Sequence, residues 1–148
     1  MAGTYDEAAL RDFGARLSAV LRPGDVIALS GELGAGKTTL ARAILCGLGH
    51  AGEVPSPTFT LVQVYACPPL RLPVWHADLY RLNHPDEADG LALDEVLADG
   101  ALLIEWPERM GADFWPDALW LRLEGAGQAV RRLTWEAPPA WKGRCPSA

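Results

Sequence analysis

The densest chemistry in the chain lies in one run, Gly31-Glu32-Leu33-Gly34-Ala35-Gly36-Lys37-Thr38. It fits G-x-x-x-x-G-K-[ST] without a gap. Small residues at these positions let a backbone wrap around a phosphate with successive N–H groups pointing inward as an anion nest. A helix starting at the end of the run adds its positive terminus under the same phosphate. The pattern therefore predicts a cradle for ATP with Mg²⁺. Lys37 would supply a compact charge to the β- and γ-phosphate oxygens and Thr38 a hydroxyl to the metal. The only other lysine is Lys142, so the lysine of the motif is one of just two in the chain.

Such a cradle needs an acid at the end of a neighbouring strand to hold Mg²⁺, directly or through water. Glu105 follows the apolar run Ala101–Ile104 and is the better candidate for the metal. Asp78 follows the stretch from Leu72 to His76 and suits the positioning of a water or an outer-sphere metal contact. Ser56-Pro57-Thr58 offers hydroxyls on a loop that either senses the terminal phosphate or simply turns the chain. His76 and His84 have no partners at metal-ligand spacing and read as structural or exposed residues. Trp106, beside Glu105, and Trp115 read as packing residues, with Trp106 placed to shape the site.

Those side chains have to be positioned by a strand, a tight turn and a helix. Asp25 to Ser30 is a short apolar run of the kind buried on both faces of a sheet. Thr38 to Leu48 reads as the following helix, with Gly49 as its left-handed cap. Upstream, Thr4-Tyr5-Asp6-Glu7 has the form of a capping box, and Leu10, Phe13, Leu17, Val20 and Leu21 recur at near-helical spacing. Phe59 to Tyr65 and Leu72 to His76 read as strands, Pro85 to Leu97 as an acidic helix, and Ala101–Ile104 as a second buried strand. Leu119 to Leu123 and Val130 to Trp135 read as a hairpin around Gly125-Ala126-Gly127. The expectation is one α/β domain over residues 1–136. Its mixed sheet would be parallel near the phosphate loop, antiparallel near the C-terminus and flanked by helices. Residues 137–148 read as a flexible tail.

Composition limits the partners. A net charge of −6 over 148 residues disfavours unspecific contact with nucleic acid. A local basic patch would have to come from Arg71, Arg81, Arg109 or the pair Arg131–Arg132. Cys46, Cys67 and Cys145 lack C-x-x-C spacing, which argues against a disulfide framework and suits a reducing cytosol. The first residues do not form a signal peptide, and no apolar stretch approaches the ~20 residues that span a bilayer. A cytoplasmic protein with no membrane contact is expected.

The absence of N-K-x-D disfavours guanine recognition, and no transporter signature L-S-G-G-Q is present. Two other uses of the loop stay open on residues alone. One is a small-molecule kinase, although the arginine-containing stretches here are short for its usual lid over an acceptor. The other is a non-catalytic module in which bound nucleotide props open a partner surface.

Four segments together resemble one family. They are Gly31 to Thr39, Ser56-Pro57-Thr58-Phe59-Thr60-Leu61-Val62, His76-Ala77-Asp78-Leu79-Tyr80-Arg81-Leu82, and Leu103-Ile104-Glu105-Trp106-Pro107-Glu108. In this order they resemble the bacterial TsaE (YjeE) family, the ATPase subunit of the tRNA threonylcarbamoyladenosine (t6A) machinery, from about Thr4 to about Trp135. The resemblance implies a slow ATPase that works with TsaB and TsaD and meets tRNA indirectly through them. It implies nucleotide contacts from Glu32, Gly34, Ala35, Gly36, Lys37, Thr38 and Thr39, metal contacts from Thr38 and Glu105, and catalysis by Asp78 with Lys37. Glu7 matches a family segment near the nucleoside. Two positions depart from the family pattern. Glu32 stands where the usual acid is Asp, and Gln128 stands where an arginine follows the glycine of the late hairpin, with Arg131 as a possible substitute.

Overall fold

A computed structural model describes residues 1–55, 61–111 and 114–147. The Ser56-Thr58 loop therefore lies outside the described residues, as do Phe59 and Thr60 of the expected third strand.

A seven-stranded sheet runs in the order β1-β7-β6-β2-β5-β4-β3. Its strands are β1 (Ala2–Tyr5), β2 (Val26–Gly31), β3 (Val62–Tyr65), β4 (Val74–Asp78), β5 (Ala101–Glu105), β6 (Leu119–Glu124) and β7 (Arg131–Glu136). The central strand β2 pairs in parallel with β5 and β6, and β5 pairs in parallel with β4. Both ends of the sheet are antiparallel, through β3–β4, β6–β7 and β1–β7. The expected mixed α/β sheet is thus present.

The apolar runs explain the middle. Val26 to Ser30 are buried throughout, as are all five residues of β5, because both faces of these strands are covered. Alternation then sorts their side chains between two cores. Ile27, Leu29, Ala101, Leu103 and Val74 join the cluster under the helices α1 (Glu7–Val20) and α2 (Lys37–Leu48). Ala28, Leu102, Ile104 and Ala77 join a second cluster with Leu79, Leu93 and Val96. Each fully buried Leu or Ile side chain contributes about 1.5–3 kcal/mol relative to exposure.

Three expectations need correction. The N-cap of α1 is Asp6, whose carboxylate accepts from Ala9 N at 2.8 Å; Thr4 lies in β1, paired with Arg132 of β7. Pairing with a distant strand outcompetes a local capping pattern. The acidic segment after Pro85 is helical, but as two 3₁₀ helices rather than a continuous run, Pro85–Leu91 and Leu93–Ala98, broken at Ala92, which takes a left-handed φ of 49°. The stretch 137–147 is also anchored to the core at Trp141, although Pro139, Ala140, Lys142, Gly143 and Ser147 are exposed. Trp141 is 0% exposed inside the first core, and Arg144 grips Asp25 with two hydrogen bonds of 2.6 and 2.7 Å. A segment without periodicity can still be anchored by one large side chain.

Two of the arginines serve the fold and the loop. Arg71 donates to the carbonyls of Ser18 and Leu21 at the end of α1, while Arg131 reaches the phosphate-binding loop. All three cysteines are free. Among the described residues, no helix is long and apolar enough to cross a membrane.

Candidate functional site

The glycine-rich run joins β2 to α2, as the motif requires. Gly31, the last residue of β2, packs so closely on β6 that a Cβ would lie 2.5 Å from Leu123 O. Gly36 caps α2 with a φ of 108° and supplies no side-chain cap. The first N–H groups of α2 are therefore left for a ligand rather than for the protein, at the positive end of the helix dipole. Lys37 begins α2 and is 5% exposed. Its ammonium donates to the carbonyls of Gly31 and of Glu32, the latter at 3.2 Å, and lies 4.1 Å from the centroid of the Trp106 ring. Burial pushes the Lys37 ammonium below its ordinary pKa. The charges of Glu105, Glu108 and Asp78 oppose that shift, in decreasing order.

The two acids end adjacent parallel strands. Asp78 is the last residue of β4 and Glu105 the last of β5, and their Cα atoms are register partners. Both point to the face that carries α2, because Val74-His76-Asp78 and Ala101-Leu103-Glu105 alternate onto the same side. They are almost fully buried, at 5% and 3% exposure. Asp78 Oδ1 accepts from Tyr80 N at 2.9 Å, which ties its carboxylate to the turn leaving the strand. Glu105 Oε2 lies 2.6 Å from His76 Nε2.

One cleft of 260 Å³ brings most of the sequence-derived residues together. It is lined by Glu32 to Thr39 together with Asp78, Glu105, Trp106 and Arg131. The cleft lies at the carboxyl ends of the parallel strands, where open α/β sheets bind ligands. Glu7 stands apart from it, in an adjoining 240 Å³ hollow with Leu10, Gly36, Thr39, Gln128 and Arg131.

Arg131 and His76 are the residues whose part sequence reasoning underrated. Arg131, on β7, donates from Nε to Ala35 O at 3.1 Å and so braces the loop. The hairpin pattern and the displaced family arginine both pointed to this residue, but not to a contact with the loop. His76, read as structural or exposed, is 0% exposed and touches the acid expected at the metal. Its place two residues before Asp78, on the same strand face, was the available signal. His84 is exposed, and accepts from Asp86 N as the cap of the first 3₁₀ helix. Trp106 has a left-handed φ of 58°, which turns the chain away after β5 and lays the indole against Lys37.

The donor set suits a small, hard cation beside a polyphosphate. The hydroxyls of Thr38 and Thr39 and the carboxylates of Glu32, Asp78 and Glu105 line the cleft with Lys37, and Mg²⁺ takes few protein oxygens, leaving its other positions to phosphate and water. The uncapped start of α2 and the buried ammonium suit the phosphates themselves. The arrangement can hold and orient a magnesium nucleotide and stabilise charge on its terminal phosphate.

Known proteins resemble this chain in sequence and in fold. The family model described as threonylcarbamoyl adenosine biosynthesis protein TsaE matches residues 4–133. The tRNA threonylcarbamoyladenosine biosynthesis protein TsaE of Streptomyces coelicolor is 44% identical over 130 residues, covering 84% of this chain and 88% of the relative. The protein of the same name from Bacillus subtilis is 38% identical over 121 residues, covering 81% and 74%. That from Haemophilus influenzae is 40% identical over 119 residues, covering 76% and 73%. The crystal structure of Bacillus subtilis YdiB superposes with a TM-score of 0.74 at 28% identity, covering 93% of this chain and 84% of that one.

Proposed function

Because this chain belongs to the TsaE family of threonylcarbamoyladenosine biosynthesis proteins, we propose that it is the ATPase subunit that supports t6A modification of tRNA. It binds ATP with Mg²⁺ and hydrolyses it slowly, in concert with TsaB and TsaD, and meets tRNA only through them. The observation that carries the reading is the cleft in which the phosphate loop from Glu32 onward, Lys37, Thr38 and two buried strand-end acids converge.

The roles follow from position. The backbone of Gly34, Ala35 and Gly36 and the first N–H groups of α2 hold the β-phosphate, with Glu32 and Thr39 at the edges of the loop. Lys37 leaves the carbonyls of Gly31 and Glu32 to pair with the phosphates, a stronger acceptor than a neutral carbonyl. Thr38 and Glu105 would hold the Mg²⁺ ion, which would supply neutralisation of charge on the transferring phosphate. Asp78 orients the attacking water, its carboxylate being fixed by Tyr80 N. Glu7 and Arg131 border the hollow beside the loop, where the nucleoside would sit. Little covalent chemistry is asked of the protein; positioning and charge do the catalysis.

A phosphate-release assay on the purified chain, alone and with TsaB and TsaD, tests the reading. Release should be slow alone and stimulated by the pair. Absence of release under both conditions would reduce the chain to a nucleotide-dependent docking module, and transfer of labelled phosphate to an organic acceptor would make it a kinase.

A further inference from the structure

Beneath the mouth of the cleft lies a polar pair that nucleotide binding alone does not require. His76 sits in the interior of β4, on the face turned toward α2, in the layer of Leu103. An apolar side chain there would avoid burying a polar ring altogether. Glu105 has its Cα opposite Asp78, yet its carboxylate reaches back along the sheet to His76, with Oε2 2.6 Å from Nε2. The other ring nitrogen, Nδ1, is buried and has no partner among the described residues. The ring therefore has one hydrogen bond to give there, and it goes to Glu105. An N–H on Nε2 donating to the carboxylate, with the lone pair on Nδ1, leaves no buried N–H without an acceptor.

We propose that His76 is a positioning residue for the metal ligand. Its Nε2–H holds one oxygen of Glu105, fixes the rotamer of a long and otherwise mobile side chain, and so aims the carboxylate at the ion beside Thr38. The inference rests on the reading of Glu105 as a magnesium ligand. Partners that orient a ligating group in this way commonly change metal affinity or activity 10- to 100-fold when removed.

The test compares nucleotide affinity with magnesium and with EDTA, measured by calorimetry on the full chain with a non-hydrolysable ATP analogue. The ratio of the two affinities is the magnesium gain. His76→Met keeps the bulk and loses the donor, whereas His76→Gln has similar length and keeps an N–H. The magnesium gain should fall about 10-fold or more in His76→Met, with affinity in EDTA nearly unchanged, and should return largely in His76→Gln. An unchanged gain in His76→Met overturns the proposal. So does an equal loss with magnesium and with EDTA, which is the mark of general structural damage, or a His76→Gln no better than His76→Met. Should His76→Met fail to fold, His76→Asn, whose amide stops short of Glu105, replaces it with the same expectations. Glu105→Gln separates the two readings. If it keeps the full magnesium gain, the metal assignment itself is wrong; if it loses the gain while His76→Met does not, only the positioning role fails.

Discussion

Lys37 is held by two backbone carbonyls and an indole face while three carboxylates lie near enough to stabilise its charge. The ammonium is thus poised where a phosphate oxygen would replace a carbonyl. Lys37→Ala should weaken ATP binding by roughly 100-fold or more, as expected for loss of charge-assisted hydrogen bonds worth about 1.5–3 kcal/mol each. Calorimetric titration checks this, and equal affinity in the two proteins would remove Lys37 from the phosphates. Asp78 gives the opposite pattern. Asp78→Ala should keep nucleotide affinity within a few-fold and lose about 100-fold or more in turnover, the usual span for a group that positions a proton acceptor. Single-turnover phosphate release would show it, and undiminished turnover would exclude the role.

At the scale of elements, the site depends on how α2 is pressed against the sheet. Helix α1 covers α2 closely, and small residues make this possible: a Cβ on Gly14 would lie 2.6 Å from Ala43 Cβ. Helix propensity alone favours Ala over Gly in a helix interior by about 1 kcal/mol. Here the contact should outweigh it, since neither partner can rotate away and overpacking costs about 1–3 kcal/mol. Gly14→Ala should therefore destabilise the protein by roughly 1 kcal/mol in chemical denaturation. A gain in stability would mean that the two helices can separate freely, and that the start of α2 is less firmly set than its contacts imply.

For the molecule as a whole, the C-terminal segment closes the fold. Trp141 fills the core beneath α1, and Arg144 is bound to Asp25 across the start of β2 while also donating to Val20 O at 2.9 Å. Trp141→Ala should cost about 3–5 kcal/mol, the usual range for removing a buried aromatic ring. Thermal unfolding would register a loss this size as a large drop in Tm. Arg144→Ala should cost roughly 3 kcal/mol, because it leaves the nearly buried Asp25 carboxylate without its cation. If deletion of residues 137–148 left Tm unchanged, the segment would be ornamental after all.

The chain's own order of residues determined the phosphate loop, the helix that follows it and the two buried strands that end at the acids. Each is a local pattern: glycines that permit one turn, or apolar runs that tolerate burial on both faces. The same locality made Glu105 and Asp78 recognisable as strand-end acids. Tertiary structure decided the rest, because it depends on residues far apart in sequence. The pairing of β1 with β7 overrode a capping pattern at Thr4. The register of β4 on β5 set Asp78 opposite Glu105 and brought His76 within reach of it. Trp141, in a segment with no periodicity to read, found its place only because the core left room for a ring. Periodicity reports which face a residue turns inward; it carries no information about which distant face comes to meet it.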